Sequence, residues 1–262
     1  MAKVRPKKFL GQHFLHDPAI ARRIVSALPG ERPISVLEIG PGMGILTQFL
    51  LQEEGITLKV IDIDRESIAF LRESFPDMGE RILEGDFLKL NFKDVFDRPL
   101  YLIGNLPYNL SSQIFFKVLE NRERVQAMVC MIQKEVAERI VSGPGRKSYG
   151  ILSVFLQAFY SLKLLFQVSP GAFNPPPKVM SAVILLERND RKQLNCNEDL
   201  FFKVVKQGFN NRRKTLRNAL KNLNLASEII ADPILNSRAE QLSVEEFERL
   251  ALRIENSGAK EL

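Results

Sequence analysis

The stretch that most restricts what this chain can become is VLEIGPGMGILT, Val36 to Thr47, where an apolar run breaks into three glycines and resumes with amphipathic spacing. An apolar segment of strand length that passes through glycines into a helical pattern is the opening of a βαβ unit. Gly40, Gly42 and Gly44 let the backbone take positive φ and let a ligand approach the peptide groups. Such a turn lies at the carboxyl edge of the sheet, where open α/β folds bind their ligands. The alternation continues from about Pro33 to Asn105. ISVLEIG, TLKVIDI, RILEGD and LYLIGN read as strands, and ILTQFLLQEE and RESIAFLRESF as helices, with Asp64 or Ser67 placed to cap the second. This predicts a parallel sheet covered by helices on both faces.

Further along, SSQIFFKVLEN reads as a helix, VQAMVCMIQ as a fifth strand, and KEVAERIV and ILSVFLQAFYSL as helices. KLLFQVS and VMSAVILLE supply two more strands around the proline-rich loop PGAFNPPPK, so an α/β, Rossmann-like fold with seven strands is expected. Near Arg188 the composition shifts through RNDRKQLNCNED into a tail whose periodicity is helical throughout. That places one domain at 1–188 and a small all-helical domain at 189–262.

Composition removes several function classes. Hydrophobic residues at 45% and charged residues at 26% are the balance of a soluble globular protein. No run of about 18 apolar residues and no signal-peptide core occurs, so a cytoplasmic protein without a membrane partner is expected. Two histidines, His13 and His16, leave almost nothing for a His-based triad or a multi-histidine metal site. Cys130 and Cys196 are not in metal-ligand spacing. No metal is expected.

The glycine spacing is G-x-G-x-G, and a dinucleotide fingerprint would need its third glycine at Ile45, so a pyrophosphate ligand is disfavoured. Asp62 ends the second strand about 20 residues after the glycines, where a carboxylate accepts from ribose hydroxyls. Asp86, in EGDF, ends the third, where it can accept from an adenine amino group. Each acid alone also reads as an ordinary turn cap. Together with the glycines they imply an adenosine that need not carry phosphates, which suits S-adenosylmethionine better than NAD.

The run YLIGNLPYNL then ends a fourth strand beside that ligand. An exocyclic aromatic amine is a poor nucleophile because its lone pair is delocalised. The side-chain oxygen of Asn105 and the carbonyl of Leu106 can each accept one N–H and draw that lone pair towards a methyl donor. Pro107 fixes φ and brings no competing N–H. Tyr108 offers a ring on which a base can stack.

GQHFL, EIGPGMG, GNLPYN, QKEVAERI, FNPPPKVMSAV and FNNRRKTLRNAL occur in the order found in the KsgA type of ribosomal RNA small-subunit adenine N6,N6-dimethyltransferases, and the chain resembles that family over most of its length. The resemblance implies S-adenosylmethionine as donor, two adjacent adenosines near the end of small-subunit rRNA as target, and an immature 30S subunit as partner. It places cofactor contacts at His13, Leu15, Gly40, Asp62, Asp86 and Asn105. It places the target base against Asn105, Leu106 and Tyr108, with Phe173 over its other face. The family often has Asn at the position of His13 and commonly Glu at that of Asp62.

In FFKVVKQGFNNRRKTLRNALKNL the apolar positions fall mostly on one helical stripe, opposite Lys203, Lys206, Arg213, Arg217 and Lys221, and Arg212 and Lys214 bring the basic residues from Lys203 to Lys221 to seven. Seven basic residues without an acid predict phosphate contact. Lys3, Arg5, Lys7 and Lys8 form a second basic segment. Nothing in the pattern demands a partner chain, so a monomer is expected. Two other functions fit the pattern: a large-subunit rRNA methyltransferase of the erythromycin-resistance type, and an assembly checkpoint factor in which methylation is secondary.

Overall fold

The computed structural model describes residues 4–7 and 10–258; Lys3 and Lys8 lie outside the described residues. The chain falls into two compact units, Met1–Ala137 with Ser161–Arg188, and Glu138–Tyr160 with Asn189–Leu262. The edge between Arg188 and Asn189 coincides with the shift in composition. The segment Glu138–Tyr160 groups with the second unit although it precedes that edge in sequence.

The first unit opens with β1 (Phe14–Leu15) and α1 (Pro18–Val25). Asp17 caps α1 by accepting from the N–H groups of Ala19 and Ile20, and Pro18 occupies the first helical turn, where its missing N–H costs nothing. Then follow β2 (Ile34–Ile39), α2 (Thr47–Leu50), β3 (Ile56–Asp62), α3 (Arg65–Ser74), β4 (Ile82–Glu84), β5 (Leu100–Asn105), α4 (Ser111–Glu120), β6 (Val125–Gln133) and α5 (Lys134–Ile140). After α6 (Ile151–Phe159) come β7 (Tyr160–Val168), β8 (Phe173–Asn174) and β9 (Ser181–Arg188).

Seven strands form one sheet in the order β4-β3-β2-β5-β6-β9-β7. The pairs from β4 through β6 are parallel and β9 runs antiparallel to β6. All six residues of β2 are buried, which is why its sequence reads as a near-continuous apolar run. Strand order reverses between β2 and β5, and the crevice at that switch point is where the turns after both strands open. The strands are brought close together there by Gly104, where an added Cβ would stand 2.5 Å from the Ile39 carbonyl oxygen.

Two local expectations are corrected, and one element is additional. The helix expected over 45–54 contracts to the single α-helical turn α2, because bonds such as Gln52 N–H to Phe49 O take the tighter i−3 form. The helix expected through Leu162 stops at Phe159, and Tyr160 already belongs to β7, whose central residues alternate towards and away from solvent. A separate two-stranded antiparallel pair, β1 with β8, aligns Phe14 with Asn174 and Leu15 with Phe173.

The second unit continues with α7 (Glu198–Asn210), α8 (Leu216–Ala219), α9 (Ser227–Ile230) and α10 (Val244–Asn256). Buried Phe155 and Phe201 meet half-buried Phe202, which packs edge-on against both. Buried Glu248 is satisfied by the Arg191 guanidinium and by both the backbone and side-chain N–H of Asn195. The amphipathic run from Phe201 to Leu223 is not one helix. It breaks after Asn210, since two consecutive asparagines are weak helix formers that compete for backbone hydrogen bonds. It resumes at Leu216, so Arg212, Arg213 and Lys214 project from a turn.

Candidate active site

At the switch point the residues from the glycine turn, from β3, from the turn after β5 and from the N-terminal segment line one cleft. It encloses about 560 Å³ of empty space including its open mouth. Gly40, Gly42 and Gly44 have φ of 64°, 57° and 77°, the left-handed values that the turn after β2 requires. They differ in what they face. Nothing lies within 4 Å of where a Cβ would stand on Gly40, whereas one on Gly42 would strike the Phe14 ring and one on Gly44 the Phe75 ring. Gly40 and Gly42 line the cleft; Gly44 serves packing against α3.

Asp62 lines the cleft and is 7% exposed. One carboxylate oxygen accepts the Gly42 N–H at 3.2 Å and the other the Asp64 N–H at 2.9 Å, which ties the glycine turn to the end of β3. Burial pushes this carboxyl above its ordinary range, and the two N–H groups oppose that rise. Each oxygen keeps one lone pair for a ligand hydroxyl. Asp86 caps the short turn Phe87–Lys89 through the Leu88 N–H at 2.9 Å and does not line the cleft.

Asn105 ends β5 at the cleft wall, and its side-chain nitrogen donates to the His13 carbonyl at 2.8 Å. With the nitrogen engaged, Oδ1 is the amide's acceptor towards a ligand. Leu106 is 1% exposed and its N–H donates to the Met131 carbonyl at 3.0 Å. Pro107 and Tyr108 complete that wall. The Tyr108 hydroxyl lies 2.7 Å from the Ser181 hydroxyl at the start of β9. Its ring stacks with the His13 imidazole at 5.4 Å between centroids. Leu15 lines a smaller neighbouring cavity with Glu38, Gly40 and Asn105. Phe173 is 3% exposed, belongs to the sheet's hydrophobic core, and lies across the strand pair from Leu15. Phe173, expected over the far face of the target base, is not among the residues lining the cleft, and the ring stacked on Tyr108 is that of His13.

Sequence reasoning missed three features. The first is Glu38, 1% exposed, which accepts from the Thr47 hydroxyl at 2.6 Å; burial pushes its carboxyl up to about 8. Its signal was a lone acid inside VLEIG. The second is Asp64, which caps α3 as expected and also accepts from Lys7 Nζ at 2.5 Å and Gln12 Nε2 at 3.0 Å. Burial alone raises this carboxyl, but Lys7 and Gln12 hold it below the usual range. Lys7 is therefore paired, not a free cation of the basic segment. The third is that Leu10, Gly11, Gln12 and Phe14 line the cleft beside the expected His13.

The family model described as ribosomal RNA adenine dimethylase matches residues 3–256. This chain belongs to that family. It is 53% identical to the ribosomal RNA small subunit methyltransferase A of Bacteroides thetaiotaomicron, over 98% of this chain and 97% of that protein. It matches the crystal structure of a dimethyladenosine transferase from Plasmodium falciparum with a TM-score of 0.79 and 26% identity, covering 94% of this chain and 98% of that one. The 23S rRNA methyltransferase ErmE shares the fold, with a TM-score of 0.68, 22% identity, and coverage of 92% and 99%.

In this adenine dimethylase the seven basic residues between Lys203 and Lys221 do not behave alike. Arg212 pairs with Glu240 at 2.9 Å and donates to the carbonyls of Lys147 and Tyr149. Arg217 donates to Asn236 Oδ1 at 3.0 Å and to the Ile230 carbonyl. Lys206, Arg213, Lys214 and Lys221 are exposed and their side chains have no partner among the described residues, while Lys203 is half-buried on α7. No described helix is long and apolar enough to cross a membrane.

Proposed function

We propose that this adenine dimethylase methylates N6 of two adjacent adenosines near the 3′ end of small-subunit rRNA, with S-adenosylmethionine as donor and an immature 30S subunit as substrate. We place the enzyme in the cytoplasm, acting as a monomer without a metal. The observation that carries the reading is the amide of Asn105, tethered through its nitrogen to His13 in a cleft shared with the glycine turn and Asp62.

The residues fit an adenosyl donor. Gly40 leaves open space above the turn, and Asp62 retains acceptor capacity for ribose hydroxyls. His13, Leu15 and Asn105 are the further contacts we assign to it, with Asp86, at the head of the Phe87–Lys89 turn beyond the cleft lining, as an outer one. When bound, S-adenosylmethionine supplies an electrophilic sulfonium methyl. The chain's part is to hold and polarise the amine. Asn105 Oδ1 and the Leu106 carbonyl accept the two N6 hydrogens, which pulls the nitrogen towards tetrahedral geometry and frees its lone pair. Tyr108, fixed by Ser181 and backed on one face by His13, offers its other face to the flipped base. No strong base is needed, because the alkylated nitrogen sheds its proton readily. In the second round the amine has one N–H left, so one acceptor suffices. Lys206, Arg213, Lys214 and Lys221 meet phosphate.

The test is transfer of labelled methyl to naked rRNA, immature small subunits and mature small subunits, followed by mapping of the product. Expected is N6,N6-dimethyladenosine at two neighbouring positions, fastest on immature subunits. Label confined to large-subunit RNA would refute the proposal.

A further inference from the structure

The N-terminal segment reaches the active site from two anchors. At one end, Lys7 and Gln12 grip Asp64, and the Lys7 N–H donates to Gln12 Oε1 at 2.8 Å. At the other, Phe14 and Leu15 pair with Asn174 and Phe173. His13 lies between these anchors and makes three contacts with three different elements. Its carbonyl accepts from Asn105 Nδ2 at 2.8 Å, its Nδ1 lies 2.7 Å from the Pro175 carbonyl, and its ring stacks on Tyr108. A carbonyl oxygen can only accept, so Nδ1 carries the hydrogen in that contact. The imidazole is thereby held to the proline-rich loop, and its own backbone is held against the amide of Asn105.

An asparagine amide has two ends of nearly equal size and opposite hydrogen-bonding sense. A flip of Asn105 would point N–H groups at the amine it must accept from, so the site works only in one of two orientations. The His13 carbonyl selects that orientation: it bonds the nitrogen end and repels the oxygen end.

We propose that His13 is a positioning residue for methyl transfer, its imidazole clamping the strap to Pro175 so that its carbonyl fixes Asn105 with Oδ1 towards the substrate amine. This rests on the acceptor role of Asn105 given above and assigns to His13 a task separate from contact with the methyl donor. It also explains what the side chain must provide. The nitrogen of an asparagine amide stands at the same distance from the backbone as imidazole Nδ1, so Asn can replace the clamp. Leucine, of similar bulk, cannot.

The experiment compares His13→Asn, His13→Leu and Asn105→Asp with the unaltered enzyme on immature small subunits. It measures kcat, KM for RNA, and equilibrium affinity for S-adenosylmethionine. His13→Leu is expected to lose about tenfold in kcat, the order expected for one neutral hydrogen bond acting on the rate-determining geometry. KM for RNA is expected to stay within about threefold, a spread worth less than one such bond, and any weakening of donor binding that accompanies loss of the His13 side chain is expected to be smaller than the loss in kcat. His13→Asn is expected to recover most of that loss. Asn105→Asp keeps acceptor oxygens but has no N–H for the His13 carbonyl, and is expected to fall at least as far as His13→Leu. Equal kcat for the Leu and Asn variants, or a loss confined to donor affinity, would overturn the clamp. So would an Asn105→Asp enzyme with unaltered kcat. If the unaltered enzyme transfers no methyl to adenine, it is the proposed reaction that fails.

Discussion

The cleft of the first unit and the basic turn of the second are both rich in polar side chains, and they treat them in opposite ways. Around the cleft the site's polar groups have partners: Asn105 is tied to His13, Tyr108 to Ser181, Asp62 to two N–H groups, and Asp64 to Lys7 and Gln12. In the turn after α7 and on the short helical segments beyond it, Arg213, Lys214 and Lys221 are exposed without partners among the described residues. Methyl transfer needs acceptors placed before the substrate arrives, because reorganisation at the moment of reaction costs rate. Phosphate attraction is long-ranged and tolerant of direction, so unheld cations serve it well. Arg212 and Arg217 show that the division runs inside the second unit too, since both are spent on its internal contacts.

The largest effect is expected from breaking the preorganised side. Asn105→Ala should lower kcat on the order of a hundredfold while equilibrium binding of S-adenosylmethionine persists. A rate within about threefold of normal would remove Asn105 from the chemistry, as a positioned polar group costs far more than that. Gly104→Ala comes next, because its Cβ would meet the Ile39 carbonyl at 2.5 Å and force the two central strands apart. We expect a loss of about 1–3 kcal/mol in denaturant unfolding, the range for overpacking. No loss would mean that the strand spacing is less strict than the geometry indicates.

On the unheld side, replacing Arg213, Lys214 and Lys221 together by Gln should weaken RNA binding and flatten its salt dependence, by roughly one unit of log–log slope per lost phosphate contact. Thermal unfolding should stay unchanged. Arg212→Gln and Arg217→Gln should do the reverse, lowering stability with little change in slope. A matching slope change in both sets would erase the contrast between the two groups.

The smallest effect concerns Glu38. Its folded-state carboxyl titrates near 8, against 4.5 ordinarily, chiefly through burial. A carboxyl raised in this way is protonated in the fold at neutral pH, and the fold then binds more protons than the unfolded chain. The contribution of this group to stability is therefore fullest below about pH 4.5, falls as pH rises towards about 8, and levels off above. Glu38→Gln should raise the melting temperature by about 3 °C or more at pH 9. The gain should vanish at pH 4.

Much of this arrangement was legible in the chain. Six of the seven sheet strands are long enough to show in the pattern of apolar residues, the three-residue β4 lies inside the expected RILEGD, and the Gly40–Gly44 turn declares itself because few other residues take its φ values. The strands that escaped notice, β1 and β8, are two residues each, too short for any periodicity. The contacts that escaped notice are distant in sequence. Asn105 meets a residue 92 positions away, and His13 one 162 positions away. No local pattern encodes such pairs. The resemblance implies a base-facing ring at Phe173, but the pairing of β8 with β1 turns that ring into the core. Arg212 and Arg217 looked like Arg213 in the pattern of charge. Only the fold shows which cations already have an acid or carbonyl to bind.

The most direct measurement is a crystal structure of the enzyme with S-adenosylhomocysteine and an RNA fragment presenting its target adenosine. The account predicts N6 within about 3 Å of both Asn105 Oδ1 and the Leu106 carbonyl, ordinary hydrogen-bond distance, with Asn105 Nδ2 still on the His13 carbonyl. An adenine N6 facing away from residue 105, or an amide nitrogen in place of the oxygen against it, would contradict the account.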